Sequence, residues 1–240
     1  MKRLLFPVYG AWCWAVFGTL ALGAAVSMAV VPGLHRRRRV AHWTARSIFR
    51  LAACKVTVEG LEHLPQGPCV VVANHASYVD GVVMQAALPP RFGFMVKREM
   101  ASVPVAGFLL QRIGTHFVDR RDPNGGAADA RRVQRAATLG ESIAAFPEGT
   151  FDETPGVGRF LGGAFAAAAK GGLPVVPAAI NGARMLLPAD RRLPRPSRIH
   201  VRLLPALPAP ASADRAAVAA LRDAARAAVL MHVDEPVRET

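Results

Sequence analysis

The chain opens with one long apolar run and only later settles into an alternating rhythm. From Leu4 to Leu34 the residues "LLFPVYGAWCWAVFGTLALGAAVSMAVVPGL" include no charged side chain. About 20 apolar residues cross the hydrocarbon core of a bilayer, so this run is long enough to span one. It is roughly twice the length of a signal-peptide core (about 7–15 residues), which argues against cleavage. Tyr9, Trp12 and Trp14 suit an interfacial aromatic belt. Lys2 and Arg3 precede the run and Arg36–Arg39 follow it. A single span would leave the arginine side in the cytoplasm by the positive-inside rule, and a re-entrant dip would keep both basic ends there. Either geometry predicts a protein of the cell membrane with its remaining chain on the cytoplasmic face.

The next segment, "RRVAHWTARSIFRLAACKVTV", is amphipathic. Val40, Trp43, Ile48, Leu51 and Ala52 share a broad stripe, with Arg46 and Arg50 elsewhere, so a helix is predicted that suits an anionic membrane surface or a packed domain face.

From about Val56 short apolar strands alternate with helix-length segments. "CVVVAN", "FGFMVK", "GTHFVDR", "SIAAF", "LPVVPAAI" and "RIHVRLL" read as strands. "DGVVMQAAL", stopped by Pro89 and Pro90, reads as a helix, as do "VPVAGFLLQRI", "GGAADARRVQRAATLG", "GGAFAAAAKGG" and a last segment with Ser212 as its N-cap. Such alternation predicts an α/β fold, a mainly parallel central sheet flanked by helices, behind an N-terminal membrane-associated helical segment. The boundary falls between residues 1–53, the anchoring segment, and 54–240, the α/β domain.

Composition narrows the partners. The 240 residues suffice for one good-sized core and carry a net charge of +13, which points to an anionic partner: nucleic acid, anionic lipid or a phosphorylated substrate. No nucleic-acid module or aromatic-basic interleaving is present, so nucleic acid is set aside. Cys13, Cys54 and Cys69 show no metal-ligand or disulfide spacing and read as reduced, small apolar residues.

The candidate chemistry sits in "VVVANHASYVDGV". In an open α/β sheet, sites form at the carboxyl ends of strands. His75 follows a buried strand directly, and Asp80 opens the next helix. A carboxylate at that spacing can fix one imidazole tautomer and raise the basicity of the other nitrogen. Ser77 lies between them, but without a G-x-S-x-G elbow it is a poor nucleophile. The pair suits general-base activation of a substrate hydroxyl.

Three further blocks accompany it: "GTHFVDR" (Gly114 to Arg120), "FPEGT" (Phe146 to Thr150) and "LPVVPAAI" (Leu173 to Ile180). In this order, behind "NHASYVD", they resemble the four blocks of the glycerolipid acyltransferases, the family of 1-acylglycerol-3-phosphate acyltransferase. The resemblance covers roughly Val56 to Leu204. It implies that a fatty acyl group passes directly from a thioester (acyl-CoA or acyl carrier protein) to the free hydroxyl of lysophosphatidic acid, making phosphatidic acid, without cofactor or metal. His75 would be the base and Asp80 its orienting carboxylate. Asn74, Arg120, Glu148, Gly149 and Thr150 would bind the acceptor. An arginine fork suits phosphate oxygens, and Gly149 would let backbone N–H groups approach an anion. Glu148, itself anionic, is expected to hold Arg120 or the turn. The amino-terminal segment and "PVAGFLLQRI" would supply an apolar channel for acyl chains.

Two positions depart from the family pattern. Phe151 stands where "EGTR" has its arginine, and Gly162 where "F-K-x-G-A" has its lysine. Arg121, Lys97 or Arg159 would then supply the charge. The alternatives are the same chemistry on another lysophospholipid, and a non-catalytic basic protein that binds membranes.

Overall fold

The structure is a computed structural model, and it describes residues 2–118, 131, 135–136, 138–151 and 153–238. Two helices come first: α1 (Lys2–Val30) and α2 (Leu34–Leu51), separated by a break at Pro32 and Gly33. Strand β1 (Lys55–Glu59) follows, then β2 (Val70–Ala73), α3 (Asp80–Ala87), β3 (Phe92–Lys97), α4 (Ala106–Arg112) and β4 (His116–Val118). Beyond these lie β5 (Ser142–Ala145), α5 (Gly163–Gly171), β6 (Val175–Asn181), α6 (Ala183–Leu186), β7 (Arg198–Leu203) and α7 (Arg215–Leu230). The helix expected over "GGAADARRVQRAATLG" lies largely outside the described residues.

Among the described residues the sheet has seven strands in the order β1-β7-β6-β2-β5-β3-β4. Every pairing is parallel except β6 with β7, as a mainly parallel sheet requires. The centre explains itself. Strand β2 is Val-Val-Val-Ala, buried at every position between β5 and β6, and β-branched side chains favour a pleated surface covered on both faces. One face packs on α2 and α3 residues such as Phe49, Val83 and Met84. The other packs on α5 and α7 through Phe165, Leu221 and Val229.

Helix α1 is long and apolar enough to cross a membrane. Its Cys13, Val16, Ala21, Ala24 and Met28 are buried, whereas Phe6, Val8, Leu22, Val26 and Val30 are exposed. It lies on α2 and α4. Trp12 and Trp14 each donate an indole N–H to a carbonyl of the fold, those of Leu51 and Arg192, while their rings stay about half exposed.

The arginine run is not a uniform basic flank. Arg36 and Arg39 are exposed, but Arg37 donates to the Val31 carbonyl and Arg38 is buried. Arg38 reaches the carbonyls of Ile113 and Arg91 and pairs with Glu141, whose other oxygen lies 3.5 Å from His116 Nε2. The stripe expected on α2 is also shifted. Ile48 is buried beside Ala45 and Phe49, but Trp43 and Leu51 face outward because the sheet selects the Arg38 side.

Burial works against ionisation of Glu141, but the Arg38 guanidinium paired with it and the nearby His116 ring hold its carboxyl below the ordinary range. A carboxylate with a depressed pKa adds stability above its unfolded value and loses it as pH falls through the folded one. Gly93 makes room for this cluster: a Cβ there would meet Glu141 Oε1 at 2.8 Å and an Arg38 guanidinium nitrogen at 2.9 Å. Gly93→Ala is therefore expected to destabilise the protein by about 1–3 kcal/mol, read as a lower denaturant midpoint. An unchanged midpoint would mean that the cluster yields without cost.

The last helix also corrects an expectation. Asp214, not Ser212, caps α7, its Oδ1 accepting from Ala217 N at 2.9 Å, because the helix begins at Arg215. Ser212 instead donates to Asp214 Oδ2.

Candidate active site

The site forms where β2 and β5 end side by side. Strand β2 cannot extend past Ala73, because Asn74 turns its amide onto β6, accepting from Ile180 N (2.7 Å) and donating to Ile180 O (3.0 Å). The side chain supplies one more rung where the backbone ladder stops. Asn74 is 1% exposed and its amide is occupied, so it positions the loop rather than contacting an acceptor.

His75 follows. Its Nδ1 donates to Asp80 Oδ2 at 2.8 Å, and the same oxygen accepts from the N–H groups of Ala76 (2.7 Å) and Ser77 (2.8 Å). Asp80 is completely buried in the first turn of α3, where the helix dipole favours a negative charge. Nδ1 therefore holds the proton and Nε2 carries the lone pair. Among the described residues no hydrogen-bond partner occupies Nε2, and the side chain is 18% exposed. That nitrogen is open to a ligand. Ser77 is unsuited to attack: it is buried, and its hydroxyl donates to the Leu187 carbonyl at 2.5 Å.

The turn after β5 clamps this loop. Glu148 Oε1 accepts from His75 N and Oε2 from Gly158 N, both at 2.7 Å. Burial pushes the Glu148 carboxyl above its ordinary range, opposed by those two N–H groups and the charges of His75 and Arg238. Gly149 has φ +85, a left-handed conformation that favours glycine. Its N–H donates to Phe146 O at 3.1 Å, closing the turn instead of awaiting an anion. Thr150 is exposed at the rim.

Aromatic rings surround the imidazole. Phe146 stacks on it with centroids 4.4 Å apart, and Phe151 lies against it at 4.5 Å. Tyr78 meets Phe151 edge-on at 4.8 Å and is itself 62% exposed. Pattern reading missed Phe146 as a neighbour of His75, and Tyr78 as a neighbour of Phe151, although Phe146 and Tyr78 lie inside the quoted blocks. Phe151, noted as a missing arginine, is an added apolar wall.

The candidate cations fall out differently. Lys97, half-buried, ends β3 at the carboxyl edge, while Arg159 is exposed and follows Gly158. Arg120 and Arg121 lie outside the described residues. Gly162 precedes α5 in open space, a Cβ there meeting only Val218 Cγ1 at 4.0 Å.

Comparison with known proteins matches the region that contains His75, Asp80 and Glu148. The family described as Acyltransferase matches residues 55–181. The chain belongs to that family. Two relatives from Pseudomonas aeruginosa show how close its members lie. A 1-acyl-sn-glycerol-3-phosphate acyltransferase is 31% identical over 179 residues, covering 74% of this chain and 68% of the relative. A lyso-ornithine lipid O-acyltransferase is 32% identical over 178 residues, covering 69% and 66%. The crystal structure of the 1-acyl-sn-glycerophosphate acyltransferase PlsC from Thermotoga maritima superposes with a TM-score of 0.79 over 95% of each chain, at 19% identity, which establishes the fold. Against other curated relatives, two of them chloroplastic, this acyltransferase-family chain spans about half the length, 45% and 44%.

Proposed function

We propose that the protein transfers a fatty acyl group from a thioester, acyl-CoA or acyl carrier protein, to the free hydroxyl of 1-acylglycerol 3-phosphate, giving phosphatidic acid for phospholipid synthesis. The observation that carries this reading is the open Nε2 of an imidazole whose Nδ1 is held by buried Asp80. Nε2 takes the hydroxyl proton as the acceptor oxygen attacks the thioester carbonyl. Asp80 supports the imidazolium so formed. The tetrahedral intermediate then expels the thiolate, breaking the C–S bond, and His75 returns the proton to sulfur.

Arg120, Lys97 and Arg121 are the groups proposed to face the acceptor phosphate. Glu148 and Gly149 shape the site, and Thr150 stands at its rim. The exposed apolar face of α1, with Arg36 and Arg39 beside it, supports seating on an anionic membrane from the cytoplasmic side. One flank of α1 is committed to α2 and α4, which favours a helix lying against the domain over a detached span. Leu22→Lys with Val26→Lys should shift the protein from the vesicle-bound to the free fraction in flotation. Each lysine costs about 2.5–3.5 kcal/mol at a helix centre in lipid. Undiminished flotation would show that this face does not meet the bilayer.

A second acceptor is favoured by Phe151 and Gly162, which replace two cations with an aromatic ring and an open position. Under that reading the acceptor is another lyso-lipid. Purified protein offered a panel of lyso-acceptors with radiolabelled acyl-CoA distinguishes the two, strong preference for lysophosphatidic acid supporting the first. Gly162→Lys tests the vacant position. It should lower KM for the phosphomonoester acceptor about tenfold or more, the value of one charge-assisted hydrogen bond, leaving kcat nearly unchanged. No change would place Gly162 away from the phosphate.

A further inference from the structure

An imidazole that can activate a lipid hydroxyl can also activate water. Water's proton would pass to Nε2 as its oxygen bonded to the thioester carbonyl carbon. Loss of thiolate would break the C–S bond, and His75 would return the proton to sulfur, leaving free fatty acid and thiol. Direct transfer to a lipid therefore needs a base kept away from bulk water.

What covers His75 is aromatic. Phe146 stacks on the imidazole with centroids 4.4 Å apart and is itself packed against the core. Phe151 lies against the same ring at 4.5 Å, tilted by 59°, and is only half-buried. Tyr78, 62% exposed, meets Phe151 edge-on at 4.8 Å and braces it. With these rings in place the His75 side chain is 18% exposed. Phe146 is the fixed inner wall, and Phe151 with Tyr78 the outer one. A phenyl ring offers water no hydrogen bond. An arginine in the place of Phe151 would bring five N–H donors and their hydration to the imidazole.

We propose that Phe151, braced by Tyr78, sets the preference of His75 for a lipid hydroxyl over water by keeping the outer side of the imidazole dry. The ratio of products rests on the acyl-transfer reading, but the cover itself does not. Phe151 moves no proton. It acts by exclusion.

Purified protein offered a labelled acyl thioester, on CoA or acyl carrier protein, with saturating lyso-acceptor gives two labelled products, acylated lipid and free fatty acid. Phe151→Ala should raise the ratio of free acid to lipid about tenfold, a shift of about 1.4 kcal/mol between the two barriers, with the thermal midpoint near wild type. Phe151→Leu, still apolar, should keep the wild-type ratio. Tyr78→Ala, at an exposed position, should move the ratio the same way by less, and it reads the effect should Phe151→Ala fail to fold. Diethyl pyrocarbonate, which carbethoxylates the same imidazole lone pair, should modify the peptide containing His75 faster in Phe151→Ala than in wild type, whether or not turnover is detected. An unchanged ratio in either alanine variant, a loss of lipid product with no rise in free acid, or an equal rise in Phe151→Leu overturns the proposal. A wild-type protein that transfers to no lyso-acceptor would sink the acyl-transfer reading instead. The carbethoxylation rate then decides alone, equal rates in wild type and Phe151→Ala showing that the ring covers nothing.

Discussion

Replacing His75 with alanine is expected to slow acyl transfer by at least about 10²–10⁴-fold while leaving the fold standing. The kinetic half follows from Nε2. No other described side chain at the carboxyl edge pairs an open basic nitrogen with a buried carboxylate behind it, and Ser77 is spent on the Leu187 carbonyl. The stability half follows from what alanine keeps. The clamp on the loop is a backbone N–H, from residue 75 to Glu148, and it survives the substitution. Asp80 Oδ2 retains the N–H groups of Ala76 and Ser77. What is lost is the Nδ1–H donation to Asp80 Oδ2, whose other two donors remain, and stacking on Phe146 and Phe151, about 0.5–1.5 kcal/mol for such ring pairs. Radiolabelled acyl transfer beside a thermal melt separates the two halves. Turnover near wild type would remove His75 from the chemistry. Activity that depends on both His75 and Asp80 would dispose of a purely membrane-binding role.

Why some of this was legible in the sequence, and some was not, follows from the range of the interactions. The spacing of His75 and Asp80 encodes a local loop, and a run such as Val70–Val72 can hardly be anything but a central strand. Both are short-range facts, so pattern reading reached them. Asn74 misled because its environment is long-range: a side chain that looks available in "NHAS" is consumed by Ile180, far along the chain. Glu148 shows the same limit from the other side. Its expected partner was a cation or its own turn, but its carboxylate accepts from two backbone N–H groups, one of them that of His75. Arg38 is the sharpest case. Within four consecutive arginines nothing marks one as buried, and the space it fills is made by residues far along the chain, Gly93 and Gly114.

Asp80→Asn should cost nearly as much turnover as loss of the histidine, about 10⁴-fold where a His–Asp pair has been cut this way, despite being almost isosteric. The wild-type carboxylate presents Oδ2 to three donors, His75 Nδ1 and two backbone N–H groups. An asparagine carbonyl oxygen can take over that position, so the loop has no reason to rearrange. Its NH2 then falls where Oδ1 now lies, fully buried and, among the described residues, without a hydrogen-bond partner. A buried, unsatisfied donor costs about 1–3 kcal/mol, so the melting point should fall modestly. Flipping the amide would rescue the donor but set an N–H against two backbone N–H groups and the imidazole, which is worse. Geometry is thus kept and charge is lost. The imidazolium that forms as the lipid hydroxyl gives up its proton no longer has an anion behind it, so the loss should fall on kcat, with KM little changed. Single-turnover acyl transfer measured at saturating acceptor reads that step directly. If the Asp80→Asn protein transferred the acyl group at the wild-type rate, the carboxylate would be only a loop tie, and the base catalysis assigned to His75 would lose its electrostatic support.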